Sequence, residues 1–129
     1  LKKAAIAAIE REGVGSNGSR LLRGERDCFR AVEKQFAEFK GVEKSLYFNS
    51  GYQANVGLLT AFLEPGDVVF SDELNHASII DGIRLAKAER VIFKHRDVDE
   101  IAALLRQNRS NGQKFLVTES VFSMDGTVA

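Results

Sequence analysis

The 129-residue sequence carries one cysteine, one methionine, two histidines and no tryptophan. The lone cysteine, Cys28, excludes an internal disulfide framework and agrees with a reducing compartment such as the cytoplasm. It is expected as a buried helix residue and not as a nucleophile. Two histidines beside one cysteine, with no H-x-x-x-H or C-x-x-C spacing, argue against a metal site. Lysine plus arginine equals aspartate plus glutamate, 18 of each, so no global field recruits nucleic acid or an anionic membrane. No apolar run approaches the roughly 20 residues that span a bilayer. The start, Leu1 to Ile6, is interrupted too soon by Glu10-Arg11-Glu12 to read as a signal peptide. The Walker pattern G-x-x-x-x-G-K-[ST] is also missing, which leaves a P-loop nucleotide site without support.

What is present is an ordinary globular composition, 44% apolar and 28% charged, at a length that buries a single core. The opening at Leu1 and the close at Asp125-Gly126-Thr127-Val128-Ala129, just past a turn signal, read as cut ends of a longer chain. Residues 1–12 are expected to be helical, followed by a glycine-rich loop from Gly13 to Ser19. From Asp27 to Lys40 the apolar residues Phe29, Val32, Phe36 and Phe39 fall on one helical stripe, with Lys40 and Gly41 as its C-terminal charge and cap. Short apolar runs at Ser45–Phe48, Val68–Phe70, Val91–Phe93 and Phe115–Thr118 read as strands. Helical patterns lie between them at Gln53–Phe62, His76–Lys87 and Val98–Gln107. Pro65-Gly66-Asp67 and Asn111-Gly112 are turns, and Asp97 is a helix cap. This alternation predicts an α/β fold with a parallel sheet covered by helices. Ligands of such sheets collect at the carboxyl ends of the strands, which points to the segments just after Phe48, Phe70, Phe93 and Thr118.

Two loops compete as phosphate cradles. Gly13-Val14-Gly15-Ser16-Asn17-Gly18 matches G-x-G-x-x-G, but that motif works only between a strand and a helix. Here a charged helix precedes it, and Ser19-Arg20-Leu21-Leu22-Arg23-Gly24 follows without an immediate helical pattern, so a turn between elements is the better reading. Asn49-Ser50-Gly51-Tyr52 stands where a strand should give way to a helix. Small residues there let backbone N–H groups approach an anion, and the helix N-terminus adds partial positive charge; a tight strand-to-helix turn is the plainer alternative. His76, after Ser71-Asp72-Glu73-Leu74-Asn75, is placed either as a helix-end residue or as an imidazole beside a ligand on the Gly51 loop. His95, within Phe93-Lys94-His95-Arg96-Asp97, reads as a surface residue among charges.

Four blocks in register resemble the α-oxoamine synthase family of pyridoxal-phosphate enzymes. They are Gly18-Ser19-Arg20-Leu21-Leu22-Arg23-Gly24, Phe48-Asn49-Ser50-Gly51-Tyr52-Gln53-Ala54-Asn55, the run from Ser71 through His76 to Gly82, and Glu119-Ser120-Val121-Phe122-Ser123-Met124-Asp125-Gly126. The resemblance implies the type I pyridoxal-phosphate transferase fold, a three-layer α/β arrangement with a parallel-type sheet flanked by helices. Residues 1–129 would form the central part of its cofactor-binding large domain. It further implies condensation of an amino acid with an acyl-CoA, the cofactor ring acting as an electron sink, in a homodimer. By the same resemblance Gly51 and Tyr52 would hold the cofactor phosphate, and His76 would stack on the pyridine ring and serve catalysis. Ser123 would contact the cofactor near its phenolic oxygen, and Ser19 would lie near the acyl-CoA.

Two departures stand out. Where many relatives have H-x-x-L-E, this chain has Phe29-Arg30-Ala31-Val32-Glu33, which suits an apolar core position. The family's D-E-A-H-G segment and its Schiff-base lysine are absent, while Lys40, Lys87 and Lys114 fall at solvated or helix-terminal positions. The chain by itself is therefore expected to be inactive, and a catalytically silent subunit of a heterodimeric synthase is an alternative.

Overall fold

A computed structural model describes residues 1–129. The chain divides into two compact units, Leu1–Tyr47 and Phe48–Ala129. In the first, helix α1 (Lys2–Glu12) is followed by the glycine loop and then helix α2 (Asp27–Lys40). Gly41 ends α2 in the left-handed region at φ 66°, where a residue without Cβ avoids strain, and its N–H returns to the Ala37 and Glu38 carbonyls. The α2 stripe forms on one face as its period requires but stays largely open, Phe39 being 80% exposed. Phe29 is half-buried, stacked on Tyr47 at 5.9 Å with the Arg20 guanidinium 5.3 Å above its ring. Cys28 is also half-buried rather than buried. Its hydrogen bond with Glu12 pushes the thiol pKa up, which keeps it a poor nucleophile.

Two further local expectations fail in this unit. Arg20–Gly24 is a π-helical turn, in which the Ser19 carbonyl accepts from the N–H groups of Leu22, Arg23 and Gly24. The expected strand at Ser45–Phe48 does not form. The Tyr47 N–H donates instead to Glu33 Oε1 at 2.8 Å, and the Tyr47 carbonyl accepts from Arg20 at 3.3 Å. Side chains take the backbone groups that a sheet neighbour would use. Arg20 braces this arrangement through forked contacts to Glu25 and Glu33.

The second unit alternates as expected: α3 (Gly51–Phe62), β1 (Val68–Asp72), α4 (Ala77–Ala86), β2 (Glu89–Phe93), α5 (Val98–Gln107) and β3 (Lys114–Val117). The strands form one parallel sheet in the order β2-β1-β3. β1 is central and buried at every position, which is why its first three residues, Val68 to Phe70, read as a continuous apolar run and not an alternating one. Its side chains still divide between faces. Val69 packs with Leu59, Leu63, Ile79 and Ile83 of the α3–α4 side, while Val68 and Phe70 pack with Phe93, Ile101, Leu104 and Leu105 of the α5 side. Helices therefore cover both faces, and the three-layer α/β architecture is as expected. Gly82 lets α3 and α4 touch: a Cβ there would stand 2.8 Å from Leu59 Cδ1 and 3.3 Å from the Asn55 carbonyl oxygen. No helix is long and apolar enough to cross a membrane.

Candidate functional site

The start of α3 is an open, capped helix N-terminus. Ser50 caps the helix, its Oγ accepting from the Gln53 N–H at 3.2 Å. The N–H groups of Gly51 and Tyr52 have no partner within the chain, so they remain available at the positive end of a 12-residue helix. Nothing lies within 4 Å of where a Gly51 Cβ would be. The opening over that backbone is what close approach of a phosphate requires. Tyr52 points elsewhere: its hydroxyl donates to Asp81 Oδ2 on α4 at 2.6 Å. That hydrogen bond raises the phenol pKa above its usual value, so Tyr52 is a protonated tether between helices and not a proton carrier.

His76 occupies the N-cap of α4 and is exposed. Its Nδ1 accepts from the Ser78 N–H at 3.1 Å and lies 2.7 Å from Ser78 Oγ. Ser78 is fully buried, and its Oγ in turn accepts from Asn55 Nδ2 of α3 at 2.9 Å. Because Nδ1 is an acceptor, the neutral imidazole carries its proton on Nε2, and the ring is held at one edge with the other free. The His76 N–H donates to Glu119 Oε1 at 2.5 Å, which ties α4 to the segment after β3. In that segment Ser123 lies exposed in a turn over residues 123–125. Asn75, beside His76, is buried and donates to Ser71 Oγ at 3.0 Å and the Val117 carbonyl at 2.7 Å. It joins α4's entry to β1 and β3, and its Oδ1 alone is left without a partner.

The structure thus brings Gly51, Tyr52 and His76 onto two adjoining helix starts, linked by the Tyr52–Asp81 and Asn55–Ser78 bonds. Ser123 makes no contact with these residues; its segment meets them only at Glu119, which accepts from the His76 N–H. Ser19, in the N-terminal unit, is exposed and serves as the N-cap of the π-helical turn.

His95 is not the surface residue its charged neighbours suggest. Its side chain is only 17% exposed. Nδ1 lies 3.1 Å from both oxygens of Asp72, Nε2 lies 2.9 Å from Thr127 Oγ1, and its ring meets Phe122 edge-on at 4.4 Å. Sequence reasoning also passed over Asn55, Ser78, Asp72 and Glu119. The one local signal for any of them was that Asp72 and Glu119 follow strand runs at the ligand-bearing end of the sheet.

Comparison with known proteins agrees with this architecture. The chain belongs to the aminotransferase class I and II family, which it matches over residues 1–129. Within that family it groups with the α-oxoamine synthases. It is 50% identical to 8-amino-7-oxononanoate synthase of Geobacter sulfurreducens over 129 residues, all of this chain and 33% of that protein. A solved serine palmitoyltransferase of Sphingomonas wittichii superposes with a TM-score of 0.95 at 37% identity, over 99% of this chain and 32% of that one. A solved 8-amino-7-oxononanoate synthase of Francisella tularensis gives a TM-score of 0.80 at 31% identity, over 99% of this chain and 34% of that one. The chain spans about a third of the length of these relatives.

Proposed function

We propose that the protein to which this chain belongs is a pyridoxal-phosphate-dependent acyltransferase that condenses an amino acid with an acyl-CoA. The favoured member is 8-amino-7-oxononanoate synthase of biotin formation, acting as a cytoplasmic homodimer. The observation that carries the reading is the pairing of an open, unpartnered Gly51–Tyr52 backbone with a His76 ring held at one edge, both at the carboxyl end of the sheet. These residues fit pyridoxal phosphate: an anion cradle for its phosphate, and an aromatic face beside it for its ring. When bound, that cofactor supplies an electron sink for the α-carbon of an amino acid.

The chain's own residues have separable tasks in this reading. Gly51 and Tyr52 bind phosphate through their N–H groups. His76 orients the ring by stacking, and its free Nε2 edge moves a proton at the substrate α-carbon. Ser78 and Asn55 fix the His76 ring. Ser123 contacts the phenolic oxygen, and Ser19 lies toward the acyl-CoA. In the family the cofactor-bearing lysine follows the D-E-A-H-G segment, and residues 1–129 contain neither.

The name of the favoured product divides chemically into two parts. Its amine-bearing two-carbon end corresponds to alanine that has lost its carboxyl group, and the remainder to a seven-carbon diacid carried as its CoA thioester. Carbon dioxide and free CoA complete the balance. The test is to incubate the full-length protein with cofactor and this pair, and to identify the product by mass spectrometry. The similarity to the Sphingomonas wittichii structure favours a second reading, condensation of serine with a long-chain acyl-CoA, which the same assay separates. Another member, 2-amino-3-ketobutyrate CoA ligase, would show a different acyl preference. A silent subunit would give no product with any pair.

A further inference from the structure

We propose that His95 is a positioning residue: a half-buried strut that joins the end of β1 to the segment bearing Ser123 and holds that turn at the cofactor site. The proposal rests on the reading of Ser123 as a cofactor contact for its functional consequence, but not for the strut itself.

The segment from Glu119 to Ala129 folds back on itself. Val121 and Val128 form an antiparallel bridge, the Phe122 N–H donates to the Thr127 carbonyl, the Gly126 N–H to the Phe122 carbonyl, and the Ala129 N–H to the Ser120 carbonyl. The result is a small loop with Ser123 at its tip. An isolated hairpin of this kind is at best marginally stable and takes its place from what it packs on. Burial of Phe122 and two hydrogen bonds give it that place. Glu119, at its entry, accepts from the His76 N–H. Thr127, at its return, meets His95 Nε2 at 2.9 Å.

His95 is itself rigidly held. Asp72, whose side chain is 1% exposed, accepts from its ring Nδ1, and the same carboxylate accepts the backbone N–H groups of Leu74 at 2.9 Å and Arg96 at 3.2 Å. The Asp72 anchor therefore fixes the chain leaving β1, the chain leaving β2 and the His95 ring together. Phe122, 1% exposed, closes one side of the ring edge-on. On the far side Thr127 is braced in turn: its N–H donates to Asp125 Oδ1 at 3.0 Å, and its hydroxyl, 2.8 Å from the same oxygen, has one proton to divide between that carboxylate and His95 Nε2. Asp125 immediately follows Met124 in the Ser123 turn. The path from sheet to Ser123 thus runs Asp72, His95, Thr127, Asp125, each step a direct hydrogen bond and the last a two-residue reach along the backbone.

The experiment uses the full-length protein. His95→Asn keeps a donor toward Asp72 and drops the reach to Thr127; Thr127→Val removes the same contact from the other side, together with the hydroxyl's contact to Asp125, and carries the test if His95→Asn fails to fold by far-UV circular dichroism. Hydrogen exchange is followed in the cofactor-free protein over residues 119–129, with residues 51–62 as reference, and cofactor affinity is titrated by visible absorbance. Each variant is expected to speed exchange over 119–129 by about 3- to 10-fold, the weight of one lost hydrogen bond, without altering 51–62. Affinity should fall by a similar factor, and combining either variant with Ser123→Ala should add little beyond the larger single effect. Unchanged exchange over 119–129 in a folded variant overturns the strut. Faster exchange, with affinity unmoved in these variants and in Ser123→Ala alone, retains the strut and removes Ser123 from the cofactor contacts.

Discussion

Ser78 controls which nitrogen of His76 is free: its N–H and its hydroxyl both address Nδ1, at 3.1 and 2.7 Å. The serine can do this because it is fully buried at the start of α4 and is itself gripped by Asn55. Replacing Ser78 with alanine removes the hydroxyl and leaves the Asn55 amide short of an acceptor in a part-buried place. A stability loss of about 1–3 kcal/mol is expected, together with lower turnover of the full-length enzyme. Nitrogen NMR of the His76 ring should show Nε2–H as the sole neutral tautomer in the parent and a mixture in the variant. An unchanged tautomer in Ser78→Ala would assign ring orientation to the backbone alone.

Two glycines distinguish binding from folding. At Gly51 an added Cβ meets nothing within 4 Å, whereas at Gly82 it would stand 2.8 Å from Leu59. Gly51→Val in the full-length protein should therefore leave the melting temperature nearly unchanged while weakening cofactor affinity, because the branched side chain fills the approach to the N–H groups. Gly82→Val should destabilise by about 1–3 kcal/mol through forced separation of α3 and α4. Thermal melts and absorbance titrations of both variants check the contrast. If Gly51→Val melts early and binds cofactor normally, the cradle assignment fails.

The N-terminal unit should show its own acid sensitivity. Arg20 hydrogen-bonds the Glu33 carboxylate and, with the Tyr47 N–H, holds its pKa down to about 2 from the ordinary 4.5. The folded value lies below the unfolded one. The stabilisation is therefore fully present above about pH 4.5 and is lost as pH falls through about 2. Arg20 is 31% exposed, so solvent screening keeps the effect modest. Urea midpoints measured from about pH 6 to about pH 2 should fall more steeply for the parent than for Glu33→Gln. Parallel curves would show that the fork contributes nothing to stability.

Much of the second unit was legible because its signals are local. Asp97 caps α5 as its type and place suggest, with Oδ1 accepting from the Glu100 N–H at 2.8 Å, and the buried run at Val68–Phe70 is the central strand. Elements that depend on distant partners were not legible. Ser45–Phe48 has strand composition, yet Glu33 and Arg20 capture Tyr47's backbone groups from 14 and 27 residues away in sequence. His95 sits between Lys94 and Arg96, a context that reads as solvated, while its partners Asp72 and Thr127 are 23 and 32 residues distant. Asn55 and Ser78 are 23 residues apart, with no spacing rule to join them. The open helix start at Gly51 could be read from one local segment; the network that holds the His76 ring required the fold.

The most direct test compares parent and His76→Ala full-length proteins, each loaded with pyridoxal phosphate and supplied with alanine and the seven-carbon diacid thioester, and follows release of free CoA thiol. His76 touches the rest of the chain through its own Nδ1 edge and backbone, so the variant should fold, and far-UV circular dichroism confirms that. The account predicts thiol release by the parent only when both substrates are present. It predicts a fall of about 10²-fold or more in His76→Ala, with a displaced cofactor absorbance band. Equal release from both proteins with identical spectra, or amino-group transfer by the parent without thiol release, would contradict it.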